Sequence, residues 1–155
     1  MVMIVMDCVV SLVTVLFEDL KKELKLRKIQ LSHQRLKVLE YLTQHRCHPT
    51  VDQIFTDLHQ EMLTLSKTTV YNTLRVLVEA GLVRAINIED HETRYDINVE
   101  NHGHFKCDSC KRIYDFRADI DALPADDLKD FVIKDKQVYF NGVCPRCRTN
   151  IDETK

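Results

Sequence analysis

Residues 66–97 read SKTTVYNTLRVLVEAGLVRAINIEDHETRYDI, and their pattern decides the fold of the first half of the chain. Ser66 can cap a helix, because its hydroxyl accepts an amide proton that the first turn leaves unpaired. A helix over 67–80 follows, with Val70, Leu74 and Leu77 as its apolar stripe. Gly81 stands where a helix ends in a left-handed residue. Two β-like runs come next, 82–88 and 93–97, joined by the polar turn Glu89-Asp90-His91-Glu92. Helices that end in a two-stranded ribbon describe a winged helix-turn-helix.

Upstream, three helices supply the rest of that domain. The first is expected over 11–27, with Phe17, Leu20 and Leu24 at helical spacing. Ser32 caps the second, which turns Leu36, Leu39 and Leu42 inward and ends at His48, before Pro49. The third runs over 51–62 with Ile54, Phe55 and Leu58 inward. The outer face of the fourth helix carries Thr68, Thr69, Tyr71, Asn72 and Arg75. Hydroxyls, an amide and a guanidinium reach phosphates and base edges when a helix enters a major groove. Arg75 suits a guanine or a phosphate, and Arg84 and Arg94 on the wing can hold the DNA backbone. The plain alternative is a solvated polar face.

The second half has a different chemistry. His102-x-His104-x₂-Cys107-x₂-Cys110 is followed by Asp115, and Cys144-x₂-Cys147 answers the first cysteine pair. Four thiols in two knuckles suit a closed tetrahedral zinc site, whose loss should unfold its module. His102 and His104 are two apart, so on a strand both imidazoles face one way. Asp115 on the return strand can join them, and Asp96 and His48 can complete the set. Alone, each of the last two reads more readily as a turn or capping residue than as a ligand. Three imidazoles and two carboxylates suit Fe²⁺ or Mn²⁺, and also accept zinc.

Composition narrows the class. The chain has 155 residues, 45% of them hydrophobic, enough for a core. A net charge of −2 points to no partner in bulk, but the charge is segregated. Lys21, Lys22, Lys25, Arg27, Lys28, Arg35 and Lys37 are answered in that stretch only by Glu23, whereas Asp115, Asp119, Asp121, Asp126, Asp127 and Asp130 make the later region acidic. One half can face a polyanion and the other cations. Of six cysteines, four in paired knuckles beside histidines favour metal over disulfides in a reducing compartment. Cys8 and Cys47 read as small buried hydrophobes, with a redox role open for Cys47 beside His48. Residues 1–17 are apolar except Asp7, Ser11 and Thr14. They lack a basic n-region and a cleavage site, and fall short of the roughly 20 residues a membrane span needs. The expectation is a cytoplasmic protein with no membrane partner and no organic cofactor.

The expected fold class is α+β: a winged helix-turn-helix, then a small α/β dimerisation domain with a four-cysteine zinc site. The boundaries are 1–97, with 1–17 an atypical apolar extension, a polar hinge at 98–101, and a metal-binding domain over 102–155. Within the last, a helix is expected over 120–131 and one or two strands over 132–140.

These residues resemble the ferric uptake regulator (Fur) superfamily. The resemblance runs from about Leu24 to Cys147 and rests on Gln34-Arg35, Thr69-Val70-Tyr71-Asn72 with Leu74, the His102–Cys110 motif and Cys144-x₂-Cys147. Its peroxide-sensing PerR branch is the most similar. The resemblance implies structural Zn²⁺ at Cys107, Cys110, Cys144 and Cys147. It implies regulatory Fe²⁺ or Mn²⁺ at His48, Asp96, His102, His104 and Asp115. Iron sensors usually carry glutamate where Asp115 stands. Gly103 and Lys136 occupy positions where a further metal site would need ligands, so that site is expected to be absent. The implied function is a homodimeric repressor on palindromic double-stranded DNA. Metal closes the dimer, and peroxide reacting at Fe²⁺ oxidises His48 or His102 and releases the operator. Two other readings stand beside it. One is a sensor of iron, manganese or zinc availability. The other is a non-haem metalloenzyme, disfavoured because five protein ligands leave little room for substrate.

Overall fold

The computed structural model describes residues 17–89, 92–122 and 126–152. They form two compact units divided between Val99 and Glu100. The fold class is α+β, a winged helix-turn-helix followed by a small α/β module.

The first unit contains α1 (Phe17–Leu26), α2 (His33–Gln44), α3 (Val51–His59), α4 (Lys67–Glu79), β1 (Arg84–Glu89) and β2 (Glu92–Asp96). Local chemistry starts each of α2–α4. The Ser32 hydroxyl accepts from the Arg35 amide, and the Ser66 hydroxyl accepts from the Thr69 amide. At α3, Thr50 and Gln53 satisfy each other's backbone in a reciprocal capping box. Gly81 follows the end of α4 with φ +68, the left-handed stop its sequence position implies. The Arg27 guanidinium donates to the Ala80 carbonyl at 2.6 Å, closing the same helix end from α1's side. Leu20, Leu24, Leu36, Leu39, Leu42, Ile54, Leu58, Val70, Leu74 and Leu77 are buried and share one core. Each fully buried leucine stabilises the unit by about 2 kcal/mol.

The expected boundaries shift in places. Residues 11–16 of the expected first helix, Cys8 and the tip of the 89–92 turn lie outside the described residues. Helix α2 ends at Gln44, well before His48. There the His45 amide bonds to Tyr41 while its ring stacks on the Tyr41 ring, and the chain leaves helical geometry. Helix α3 stops at His59 instead of 62, and past it the Glu61 amide closes a tighter three-residue turn on the Leu58 carbonyl. Cys47 is half-buried, not buried.

The second unit holds β3 (Gly103–Cys107), β4 (Ile113–Phe116), a short 3-10 turn (Asp126–Leu128), β5 (Val138–Gly142) and α5 (Pro145–Asp152). The sheet order is β4-β3-β5, with β3 antiparallel to β4 and parallel to β5. The helix expected over 120–131 is not formed among the described residues there. Asp119 takes the Ala122 amide into a local turn. Leu128 and Phe131 are exposed, so no packed apolar stripe sustains a helix. The expected strand over 132–140 shortens to β5. Helix α5 is an addition to the sequence expectations, although Pro145 is well suited to a first helical position.

Candidate metal centres and nucleic-acid face

Strand β3 sorts the second unit's chemistry by parity. Successive side chains on a strand point to opposite faces. His104 pairs across the sheet with Asp115 on β4 and with Tyr139 on β5. Phe105 pairs with Tyr114 and with Phe140, and Cys107 lies on that same parity. One face therefore carries imidazole and carboxylate, and the other leads to the thiols.

On the thiol side, one sulfur from each of Cys107, Cys110, Cys144 and Cys147 lies within 4.8 Å of every other. The Cys110 and Cys144 sulfurs are 3.9 Å apart, and Cys107, Cys110, Cys144 and Cys147 are all free. Four thiolates about 2.3 Å from a tetrahedral zinc would sit about 3.8 Å apart, so the cluster fits that ion. Burial pushes the Cys107 thiol up, but backbone hydrogen bonds from Cys110, Cys144 and Ser109 outweigh it and bring it to about 6. The Cys144 amide bonds the same sulfur at 3.3 Å. A hydrogen bond from the Tyr114 hydroxyl holds the Cys144 thiol below its ordinary range. The same bond, with burial behind it, pushes the Tyr114 phenol up to about 12. From the sequence Tyr114 reads only as a strand residue. Its position on the thiol-facing parity of β4 is the available signal.

On the other side, His102 Nε2 and His104 Nε2 lie 3.7 and 3.8 Å from the same oxygen of Asp115. Two donors about 2.1 Å from one ion can be at most about 4.2 Å apart, so the trio can share a cation. His102 Nδ1 is 2.8 Å from the Glu100 carbonyl. As a donor there it leaves Nε2 for metal, the usual outer-shell arrangement. Gly103 and Lys136 present no imidazole or carboxylate. A Cβ at Gly103 would meet the Phe116 ring, and Lys136 is 3.0 Å from Asp121.

The first unit holds the other two candidates. His48 Nε2 and an Asp96 carboxylate oxygen are 3.7 Å apart, again within reach of one ion. His48 adopts φ 52, uncommon for a residue with a side chain and more so before proline. Such a conformation costs about 1–3 kcal/mol and persists where its surroundings enforce it. Three contacts do so. The Arg94 guanidinium donates to the His48 carbonyl at 3.3 Å, the Tyr95 amide donates to the Pro49 carbonyl at 3.0 Å, and Thr50 bridges to Arg94. Arg94 is therefore turned inward, with its side chain only 12% exposed, instead of outward as a wing hand for DNA.

On α4, Thr68, Tyr71, Asn72 and Arg75 share the exposed face at spacings of three and four, and Thr69 is bonded to Ser66. Arg75 has Glu79 at 4.0 Å. The start of α2 and the first turns of α4 flank an open groove of about 260 Å³, lined by Gln30, Ser32, Gln34, Arg35, Thr69 and Asn72 among others. The sequence motif flags Gln34 and Arg35, but not Gln30 or Ser32 as part of a groove.

A winged helix followed by a sheet module with clustered thiols and histidines defines a metal-binding transcription regulator. The chain belongs to the ferric uptake regulator family, which it matches over residues 27–141. Members of that family are metal-responsive regulators of transcription, not enzymes. Relatives include the peroxide-responsive repressor PerR of Staphylococcus aureus strain Mu50, 34% identical over 124 residues, 77% of this chain and 83% of that protein. The fold is shared with the Helicobacter pylori ferric uptake regulator (TM-score 0.67, 22% identity, 84% of this chain and 90% of that one). It is shared also with the Vibrio cholerae regulator (TM-score 0.66, 22% identity, 80% and 98%). No helix among the described residues is long and apolar enough to cross a membrane.

Proposed function

We propose that this chain is a cytoplasmic, homodimeric repressor that binds palindromic operator DNA when its regulatory site holds Fe²⁺ or Mn²⁺, and releases it on exposure to hydrogen peroxide. The observation that carries the reading is the convergence of His102 Nε2 and His104 Nε2 on a short aspartate, Asp115. In this reading His48 and Asp96 complete the ligand set, and Cys107, Cys110, Cys144 and Cys147 hold Zn²⁺ permanently. Residues 1–97 bind DNA through Thr68, Thr69, Tyr71, Asn72 and Arg75, residues 98–101 hinge, and 102–155 dimerise. Exposed Phe131, Val132, Ile133 and Phe140 support a self-association surface in the second unit.

Fe²⁺ bound there supplies the electrons that activate peroxide. The protein's part is to hold imidazole carbon close to that event. In net terms, peroxide's O–O bond would break, one oxygen would enter a ring C–H of His48 or His102 and the other would leave as water. The damaged ring would bind the ion less well, and the DNA-competent state would lose the ligand that favoured it. Regulation needs only this difference in affinity between two states.

The test is operator binding by the zinc-loaded protein, charged anaerobically with Fe²⁺ or Mn²⁺, before and after dilute peroxide, with mass spectrometry of its peptides. Release with iron alone, plus one added oxygen on the peptide holding His48 or His102, is the expected result. Metal-dependent binding indifferent to peroxide would instead make the protein a sensor of metal availability.

A further inference from the structure

We propose that Arg94 is a positioning residue for the regulatory ion, not a contact to DNA. The inference rests on His48 and Asp96 as ligands. Strand β2 carries Arg94 and Asp96 two residues apart, so both side chains leave the same face. Asp96 meets the His48 ring and Arg94 meets the His48 carbonyl. One strand thus grips the ligand from the side-chain end and from the main-chain end.

The grip is needed because the segment 48–50 is set against its own preference. His48 is left-handed before a proline, a combination the chain abandons unless held. Pro49 and Thr50 are held by main-chain bonds to β2, and Thr50 also caps α3. The His48 carbonyl is reached by the Arg94 side chain, whose second nitrogen is oriented by Glu92 at 3.3 Å. A planar guanidinium can serve both at once, whereas an ammonium offers no such fork. Releasing the carbonyl frees His48 to turn, and the imidazole then loses its place opposite Asp96. The same linkage runs the other way. An ion that fixes His48 stiffens β2, so the wing senses occupancy through a hydrogen bond within its own domain.

The experiment compares wild type, Arg94→Lys, Arg94→Ala and His48→Ala as full-length zinc-loaded proteins. It measures the Mn²⁺ dissociation constant by equilibrium dialysis, and operator affinity against salt at saturating Mn²⁺. Arg94→Ala is expected to weaken Mn²⁺ binding about tenfold or more, the range for lost outer-shell partners. Arg94→Lys should recover part of that loss, and so carries the test if the alanine variant does not fold. Operator affinity at saturating Mn²⁺ should keep its salt slope in both. Unchanged Mn²⁺ affinity overturns the proposal. If operator binding falls and the log–log salt slope drops by about 0.9, Arg94 is a phosphate contact instead. If His48→Ala itself leaves Mn²⁺ binding intact, the ligand assignment fails, and the proposal falls with it for a distinguishable reason.

Discussion

Gly103 lies between two imidazoles, and adding a single methyl there tests the packing that places them. An ideal Cβ at Gly103 would stand 2.2, 2.5 and 2.7 Å from three carbons of the Phe116 ring. Carbon atoms prefer about 3.5 Å or more, so the ring or the strand must yield by about 1.3 Å at the closest atom. Phe116 is Gly103's partner across β3 and β4, and its ring stacks on Phe140 at 4.9 Å between centroids, 16° from parallel. Moving the ring gives up part of that stack, and moving the strand displaces His102 and His104. Overpacking of this kind costs about 1–3 kcal/mol. Gly103→Ala should therefore lower the melting temperature of the zinc-loaded second unit by about 4–8 °C per kcal/mol. Calorimetry on the full chain would read it. The cause is checked by repeating the change in a Phe116→Leu background, where the ring is gone. There the alanine should cost at least about 0.5 kcal/mol less, the threshold for coupling between touching residues. An equal cost in both backgrounds would refute the reasoning, as would a Gly103→Ala protein as stable as wild type.

Other outcomes follow from the thiol cluster. Tyr114→Phe removes the hydroxyl bonded to Cys144, and zinc retention against a competing chelator should weaken about 10- to 100-fold; unchanged retention would make the phenol a packing residue only. Stripping zinc should unfold the second unit while the helical core of the first survives, seen as partial loss of the near-ultraviolet signal, the share from Tyr114, Tyr139 and the second unit's phenylalanines, with the share from buried Tyr41 and Tyr95 and most far-ultraviolet helix signal kept. Zinc uptake should release protons, because Cys147, pushed up to about 12 first by its hydrogen bond to Cys144, must give up its proton to become a ligand. Apparent zinc affinity then rises with pH through the neutral range, and titration heats should vary with buffer ionisation enthalpy.

Much of the first unit is legible in the sequence because its signals are local. Ser32, Ser66 and Gly81 each act on a backbone within one helical turn, and the leucines of α2 and α4 repeat at the helical period. The zinc-fitting cluster is legible because two C-x-x-C knuckles have few other uses in a chain with histidines alongside. What escapes a sequence reading depends on distant partners. Nothing near Arg94 in sequence says that its guanidinium turns to a carbonyl 46 residues away. Tyr114 looks like strand filler because Cys144 lies far along the chain. The helix expected over 120–131 rests on spacing without a face to bury, and α2 ends at the cap residue His45, whose backbone leaves helical geometry before the sequence signal of Pro49 is reached.

The parity of β3 has a consequence for how this protein can change over generations. Within 103–107, Phe105 and Lys106 can change one at a time, each affecting one face, whereas Gly103 is held by packing and His104 and Cys107 by the ligand clusters. A single inserted or deleted residue would instead exchange the faces, sending imidazole toward the thiols and cysteine toward the carboxylate. Two candidate metal sites of different chemistry would be lost in one event. The strand is thus a ruler whose length is held from both sides, and lineages of this protein should show substitutions at 105 and 106 but no gaps.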